Sequence, residues 1–332
     1  MQAEDDEVSS EVSVALVSAA AGATEHGQRR QAACFNFFFK RGTACDADGD
    51  LEPPRRRLAK RRRGRVSPPA NGCEEHEDTN AGAVLTVSLQ LQTTSTVALC
   101  GMQVWGAALL LVDLIISRMH CFHNHVAVEL GAGAGLPGLV LAKVCRRVFL
   151  TDFADDVLRQ CQQNVSLNSS ACCLVRRLDW THALEEDSDQ FTPGDESDEF
   201  SWRSTDLADV RRCSYFLAAD VIYSNEITEA FIAQAKRLLL AESCPAERQI
   251  FVAVDQRYNF TLPECTTTSR EYDHFVDLLV GLTSYKQEHK ADGYIGDVRR
   301  IKCEEMRVDE SMEQHSAYDR AHMRLWRLSL AA

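Results

Sequence analysis

VAVELGAGAGLPGLVLA, residues 126–142, changes character twice within seventeen positions. VAVEL reads as a buried strand, the glycines Gly131, Gly133 and Gly135 break it, and a helix is predicted over Leu136–Val144. Glycines belong where a chain turns tightly and its backbone must approach a ligand. The helix N-terminus that follows offers free N–H groups. Outward from this unit, RVFLT (147–151), CLVRRL (173–178), YFLAA (215–219) and IFVAV (250–254) read as further strands. Helices are predicted between them at Asp155–Leu167 and Ile227–Leu240, with another near Ser269–Leu279. VRRIKCEEM near 298 and HMRLWRLSL near 322 are two more candidates in the tail. Such alternation predicts an α/β fold, a mostly parallel sheet with helices on both faces. Upstream, Trp105–Ser117 reads as a helix with a wide apolar face, and VLTVSLQL (84–91) with VALC (97–100) as a hairpin in front of the main domain.

The 332 residues therefore divide into a leader, 1–80, and one domain, 84–332. The leader mixes acidic, Ser/Ala-rich and basic blocks without steady periodicity, so disorder is expected there. Its run PPRRRLAKRRRGR, 53–65, holds seven Arg and one Lys; it reads as a nuclear-import tag or a nucleic-acid patch. The cluster Phe35, Phe37, Phe38, Phe39 beside Lys40 and Arg41 suits base stacking less well than a short hydrophobic docking segment or no role at all. Residues 184–209 carry ten acids and one Arg and read as an acidic surface-loop insertion. With a net charge of −13 the chain is not a protein that coats nucleic acid over its whole surface. Its longest apolar stretch, Val104–Ile116, is interrupted by Asp113 and too short to span a bilayer, so no membrane partner is expected. The 13 cysteines are an odd number, scattered rather than framed, and predict free thiols. His120, Cys121, His123 and His125 lie close together but lack a second ligand pair, and no metal site is assigned.

Two acids give the glycine stretch its chemistry. Glu129 stands at the end of the first strand, just before the glycines. It would repel a pyrophosphate but suits a ligand with an ammonium and a sulfonium group. Asp152 directly follows the second strand, where a carboxylate takes both hydroxyls of a ribose. Nicotinamide enzymes share that second feature, and Gly133, Gly135 and Gly138 also match Gly-x-Gly-x-x-Gly. Structural readings compete with both acids: Glu129 as a helix cap, Asp152 as the start of a turn.

ELGAGAG, the acid after the second strand, LDW at 178–180 and ADVIY at 219–223 resemble the seven-β-strand S-adenosylmethionine-dependent methyltransferases. Val104–Trp105 and the Asp-x-x-Tyr at Asp220–Tyr223 narrow the resemblance to the protein lysine methyltransferases called methyltransferase-like. QVWGAALLLVDLI, LTDF, FSWRSTDLADV and VDQRYNFTL followed by EYDHF extend it over roughly Gln103–Leu282. The resemblance implies a Rossmann-like seven-stranded methyltransferase fold with an antiparallel C-terminal strand. It also implies S-adenosyl-L-methionine as cofactor and protein-lysine N-methyltransferase activity. By the same resemblance Trp105 lines the cofactor pocket, Gly131, Ala132 and Gly133 form the loop under the methionine and ribose, and Asp152 holds the ribose. Trp180 packs on the adenine with Asp179 near its exocyclic amine, and Ala219 sits under the cofactor. Asp220 and Tyr223 face the substrate amine and are the catalytic candidates.

The expected substrate is a lysine in a nuclear, nucleic-acid-associated protein, with a chaperone or nuclear-import receptor as further partners. The nucleus is the expected location, the cytoplasm staying open, and direct nucleic-acid binding is left undecided. A non-catalytic cofactor-binding adaptor and an NAD-dependent oxidoreductase remain as alternatives.

Overall fold

Apolar runs bounded by turn residues become the strands of one sheet in the computed structural model. It describes residues 7–8, 30–39, 83–92, 95–181, 197–241, 244–261, 266–287, 290–291, 294–295, 299–308, 312–316 and 318–331. In chain order the main elements are β1 (Arg30–Phe39), β2 (Ala83–Gln92), α1 (Gly106–Ser117), β3 (Val126–Leu130) and α2 (Leu136–Leu141). Next come β4 (Arg147–Asp152), α3 (Asp155–Leu167), β5 (Cys173–Arg177), α4 (Ser204–Arg211) and β6 (Tyr215–Ala219). The chain continues through α5 (Asn225–Leu240), β7 (Gln249–Asp255), α6 (Arg270–Ser284), β8 (Arg299–Met306) and β9 (Met323–Leu330).

The sheet runs in the order β8-β9-β7-β6-β3-β4-β5, with Lys286–Gln287 as a short extra edge beside β8. β5, β4, β3, β6 and β7 are parallel, and β9 is antiparallel to both β7 and β8. Every residue of β3 is buried, which a strand covered by helices on both faces requires. One face packs on α1, α2 and α3 through residues such as Leu109, Leu139 and Leu158. The other packs on α4, α5 and α6 through Leu207, Phe231 and Phe275. β3 lies between β4 and β6, so the strand order reverses direction there, and a crevice opens at the strands' carboxyl ends. This is the expected seven-stranded methyltransferase arrangement, antiparallel C-terminal strand included.

Two antiparallel strands precede the domain, but the predicted hairpin partner is corrected. VALC falls in a 3-10 helix, Val97–Met102, and VLTVSLQL pairs instead with β1, deep in the leader. Ten leader residues are thus a strand, with Phe35 opposite Val87, and Phe35 and Phe37 are buried rather than available to bases. Two asparagines clip this ribbon to α3. Gln90 N–H donates to Asn164 Oδ1 at 2.7 Å, and Ser88 N–H donates to Asn168 Oδ1 at 3.0 Å. Asn164 Nδ2 also donates to Ala134 O at 2.9 Å, tying the ribbon to the glycine stretch. The basic run 53–65 lies outside the described residues.

The acidic insertion is corrected in part. Residues 182–196 lie outside the described residues, but its C-terminal end forms α4. Trp202 is buried against Phe149, with ring centroids 5.4 Å apart. Arg176 Nε donates to Asp206 Oδ2 at 2.7 Å, and both side chains are buried. Asp209 pairs with Arg146 and Arg147. Asp206→Ala would strand the Arg176 guanidinium without its counter-charge. A loss of about 3–5 kcal/mol is expected, read as a lower urea midpoint; an unchanged midpoint would show that the pair contributes nothing.

Among the described residues no helix is long and apolar enough to cross a membrane, and α1, which contains most of the long apolar stretch, is packed inside the domain. Asp113 on α1 is fully buried; it accepts from His315 N–H at 2.8 Å and pairs with Arg320 and Tyr318, holding the segment before β9 against the helix. Ten cysteines among the described residues are free thiols.

Candidate active site

The crevice at the carboxyl ends of β3, β4 and β6 is a cleft of about 1100 Å³, its open mouth included. Its walls contain all eleven predicted site residues: Trp105, Glu129, Gly131, Ala132, Gly133, Asp152, Asp179, Trp180, Ala219, Asp220 and Tyr223. They come from five separate places in the sequence. A doubly wound sheet assembles them because each ends or follows a strand, or opens a helix, on the same edge.

The floor is the glycine stretch. Gly133 has φ +53°, and a Cβ there would lie 2.6 Å from Gly101 O, so only glycine lets the 3-10 helix Val97–Met102 close onto the loop. That helix is held by Gln160, whose Nε2 donates to Met102 O at 2.9 Å, and by Trp105, whose Nε1 donates to Cys100 O at 3.0 Å. A Cβ on Gly138 would meet Leu150 Cδ2 at 2.0 Å and Glu129 Oε2 at 2.6 Å, so this glycine serves close packing of α2 on the sheet.

The two acids sit side by side. Glu129 is buried, and its Oε2 accepts from Gly138 N–H at 2.8 Å, so the capping role and the cleft-lining role coexist in one carboxyl. Burial pushes it up to about 8, the Gly138 N–H opposes this, and the neighbouring Asp152 adds to it. Asp152 accepts from Gly133 N–H at 3.1 Å through Oδ2 and from Phe153 N–H at 2.8 Å through Oδ1. Burial raises its carboxyl and these backbone donors pull it down. Trp180 stands edge-on to Phe231, centroids 5.4 Å apart, and its buried Nε1 has no hydrogen-bond partner among the described residues. Asp179 lines the cleft, and its Oδ1 accepts from Thr181 N–H at 2.9 Å and from Thr181 Oγ1 at 2.7 Å.

Past β6, Asp220 has φ +55°, a left-handed conformation rare outside glycine and concentrated at functional sites. Its N–H donates to Ala253 O at 2.9 Å, which anchors the turn. Its carboxyl is pushed up to about 6 by burial, partly offset by the guanidinium of Arg257, with Asp255 raising it further. Tyr223 lines the cleft and is 37% exposed. Desolvation, with Cys100 and Asp152 nearby, raises its phenol, so it is protonated at neutral pH.

Three contributors were not singled out from sequence. Arg257 pairs with Asp220 and lies over the Trp105 ring, 4.9 Å from its centroid. Cys100 and Gly101 form the wall facing the glycine stretch. The signal for Arg257 was present in VDQRYN just after β7, but only the fold reveals its partner across 37 residues.

A glycine-floored cleft with one acid near the end of β3 and another at the end of β4 defines a methyltransferase of the Rossmann-like class. The comparisons agree. Residues 86–195 match the family described as lysine methyltransferase. The chain is 33% identical over 307 residues to methyltransferase-like protein 22 of Mus musculus, covering 85% of this chain and 72% of that protein. It is 34% identical over 240 residues to methyltransferase-like protein 22 of Homo sapiens, covering 69% of this chain and 54% of that protein, so it spans about half of the human relative's length. Protein-lysine N-methyltransferase EEF2KMT of Homo sapiens is 33% identical over 174 residues, 50% of this chain and 49% of that protein. The chain belongs to the methyltransferase-like lysine methyltransferase family.

The cleft fits the family's methyl donor, S-adenosylmethionine. Glu129 and Asp152 line the cleft with carboxyls, and Trp180 brings an aromatic body with a buried N–H that has no partner among the described residues.

Proposed function

We propose that this chain methylates the Nζ of a lysine in a nuclear, nucleic-acid-associated protein, with S-adenosylmethionine as donor. One observation carries the enzymatic part: a single cleft is lined by Glu129, Asp152, Asp220 and Tyr223 together. The bound donor supplies a methyl group on a sulfonium, open to in-line displacement by a neutral amine. Asp152 would hold the ribose, Glu129 the positive end of the methionine part, and Trp180 the adenine. Asp220 would receive the incoming lysine, whose free ammonium has a pKa of about 10.4. A carboxylate stabilises that ammonium, so Asp220 orients the amine rather than deprotonating it. Tyr223 keeps its own proton and desolvates the slot, and the lysine proton leaves to water. Alignment and exclusion of water are then the protein's main catalytic contributions.

The nuclear part rests on the basic run 53–65, which suits an import receptor. The acidic composition of 184–209 favours a basic substrate surface. Family membership removes the support for a nicotinamide enzyme.

Tritiated methyl transfer into nuclear extract tests the reading. Asp220→Asn is expected to lower protein labelling on the order of 100-fold, the effect of losing a buried charge partner worth about 2–5 kcal/mol. S-adenosylmethionine affinity by calorimetry should stay within about threefold. Label in RNA or small molecules rather than protein would overturn the substrate class. Donor binding without transfer would make the chain an adaptor.

A further inference from the structure

We infer that Arg257 occupies the seat of the substrate's ammonium group and must be exchanged for it before lysine enters. This rests on the lysine reading above. Two independent contacts define the seat. The Asp220 carboxylate, its side chain only 8% exposed, is paired with the Arg257 guanidinium, and the same guanidinium lies 4.9 Å from the centroid of Trp105. A carboxylate and an aromatic face at right distance from one point make a monocation site. Both Asp220 and Trp105 line the cleft, so the chain's own cation stands at its edge.

An ammonium and a guanidinium carry the same charge and seek the same carboxylate. Desolvated side by side they would repel each other, so the seat holds one at a time. Without either, Asp220 would be a buried charge with no partner, which is costly. Arg257 therefore keeps the empty seat neutral. It is also built to leave. It follows the end of β7, its side chain is 41% exposed, and Asp255 stands 3.9 Å from its Nε as a second carboxylate that can retain it. Entry of lysine is thus a cation exchange, and Arg257 is a positioning residue that tunes substrate affinity.

The test uses the full chain saturated with S-adenosylhomocysteine, and butylammonium as the lysine side-chain probe, titrated by NMR at several pH values from 8 upward, because removing Arg257 takes away a charge that lowers the Asp220 carboxyl. Arg257→Ala should bind butylammonium about tenfold more tightly than the unaltered chain. Arg257→Lys, which restores a cation, should return toward the original affinity. Methylguanidinium added to Arg257→Ala should compete with butylammonium, and Asp220→Asn should abolish binding in every background. In methyl transfer, Arg257→Ala should lower KM for protein substrate more than it changes kcat. Equal or weaker butylammonium binding in Arg257→Ala, with Arg257→Gln giving the same result, would overturn the exchange and leave Arg257 a brace for Asp220. Tighter probe binding without any methyl transfer would keep the seat and sink the lysine methyltransferase reading; transfer without tightening would do the reverse.

Discussion

Gly133→Val is expected to abolish measurable S-adenosylmethionine binding while leaving the sheet folded. Gly133 has φ +53°, where a β-branched residue is strained by about 1–3 kcal/mol. The added Cβ would also fall 2.6 Å from Gly101 O, a backbone atom that no rotamer change can move away. The segment carrying that oxygen is itself pinned, by Gln160 at Met102 O and by the Trp105 indole at Cys100 O. The cheapest relief is to push the glycine stretch away from the 3-10 helix. That breaks the hydrogen bond from Gly133 N–H to Asp152 Oδ2 and moves the carboxylate proposed to hold the ribose. Strain and lost alignment together correspond to a fall in affinity of about 100-fold or more. Calorimetry with the donor and a thermal melt of the ligand-free protein separate the two effects. Near-normal affinity in a folded variant would mean that the contact between Gly133 and Gly101 does not shape the cofactor end.

The parallel strands were legible because strands buried on both faces are continuous apolar runs. IFVAV and YFLAA lie within or match β7 and β6, and the helix at Asp155–Leu167 has the predicted limits. Of the cleft residues, the glycines, Glu129 and Asp152 were legible because the end of a strand in this topology lies at the rim; Trp105, Asp179, Trp180, Ala219, Asp220 and Tyr223 rested on the family resemblance. What failed depended on distant partners. β1 holds RQAACFNFFF, whose alternation is hidden by consecutive phenylalanines, and its partner β2 begins 44 residues after it ends. VALC is apolar enough for a strand, but Gly101 and the pull of Gln160 at Met102 O draw it into a tight 3-10 turn over the glycines. The acidic insertion was read by charge alone, and charge does not reveal that Asp206 is matched by an arginine on β5. Arg257 eluded the sequence for the same reason. Its two neighbours come from the start of α1 and the end of β6, and nothing local joins them. Local pattern thus located the strands and the two acids beside the glycines, whereas pairwise electrostatics needed the fold.

Glu129→Gln is expected to make the ligand-free protein more stable and the cofactor complex weaker, with opposite pH dependences. The amide keeps an oxygen for Gly138 N–H, so the cap on α2 survives. In the folded chain the Glu129 carboxyl is raised from 4.5 to about 8, chiefly by burial. Between those values the folded state holds a proton that the unfolded chain releases, so this carboxyl lowers stability progressively as pH rises from 4.5 and reaches its full cost above about 8. Glutamine does not titrate. The two proteins should therefore have similar urea midpoints near pH 4, and the variant should gain steadily on the unaltered chain up to about pH 8. Cofactor binding runs the other way. A ligand bearing ammonium and sulfonium charge favours the ionised carboxyl, so below pH 8 its binding must expel the Glu129 proton, and affinity should climb with pH by up to about tenfold per unit. The useful window is about pH 5.5–7.5, where the ligand's own amine, with a pKa of about 7.7–8.0, is still mostly protonated. There the variant should show no such climb and, at the upper end, an affinity about 10–100-fold lower, the loss of one charge-assisted contact of about 1.5–3 kcal/mol. Calorimetry in two buffers of different ionisation enthalpy measures the expelled proton directly. Equal proton release in both proteins would show that Glu129 does not meet the cationic end of the donor.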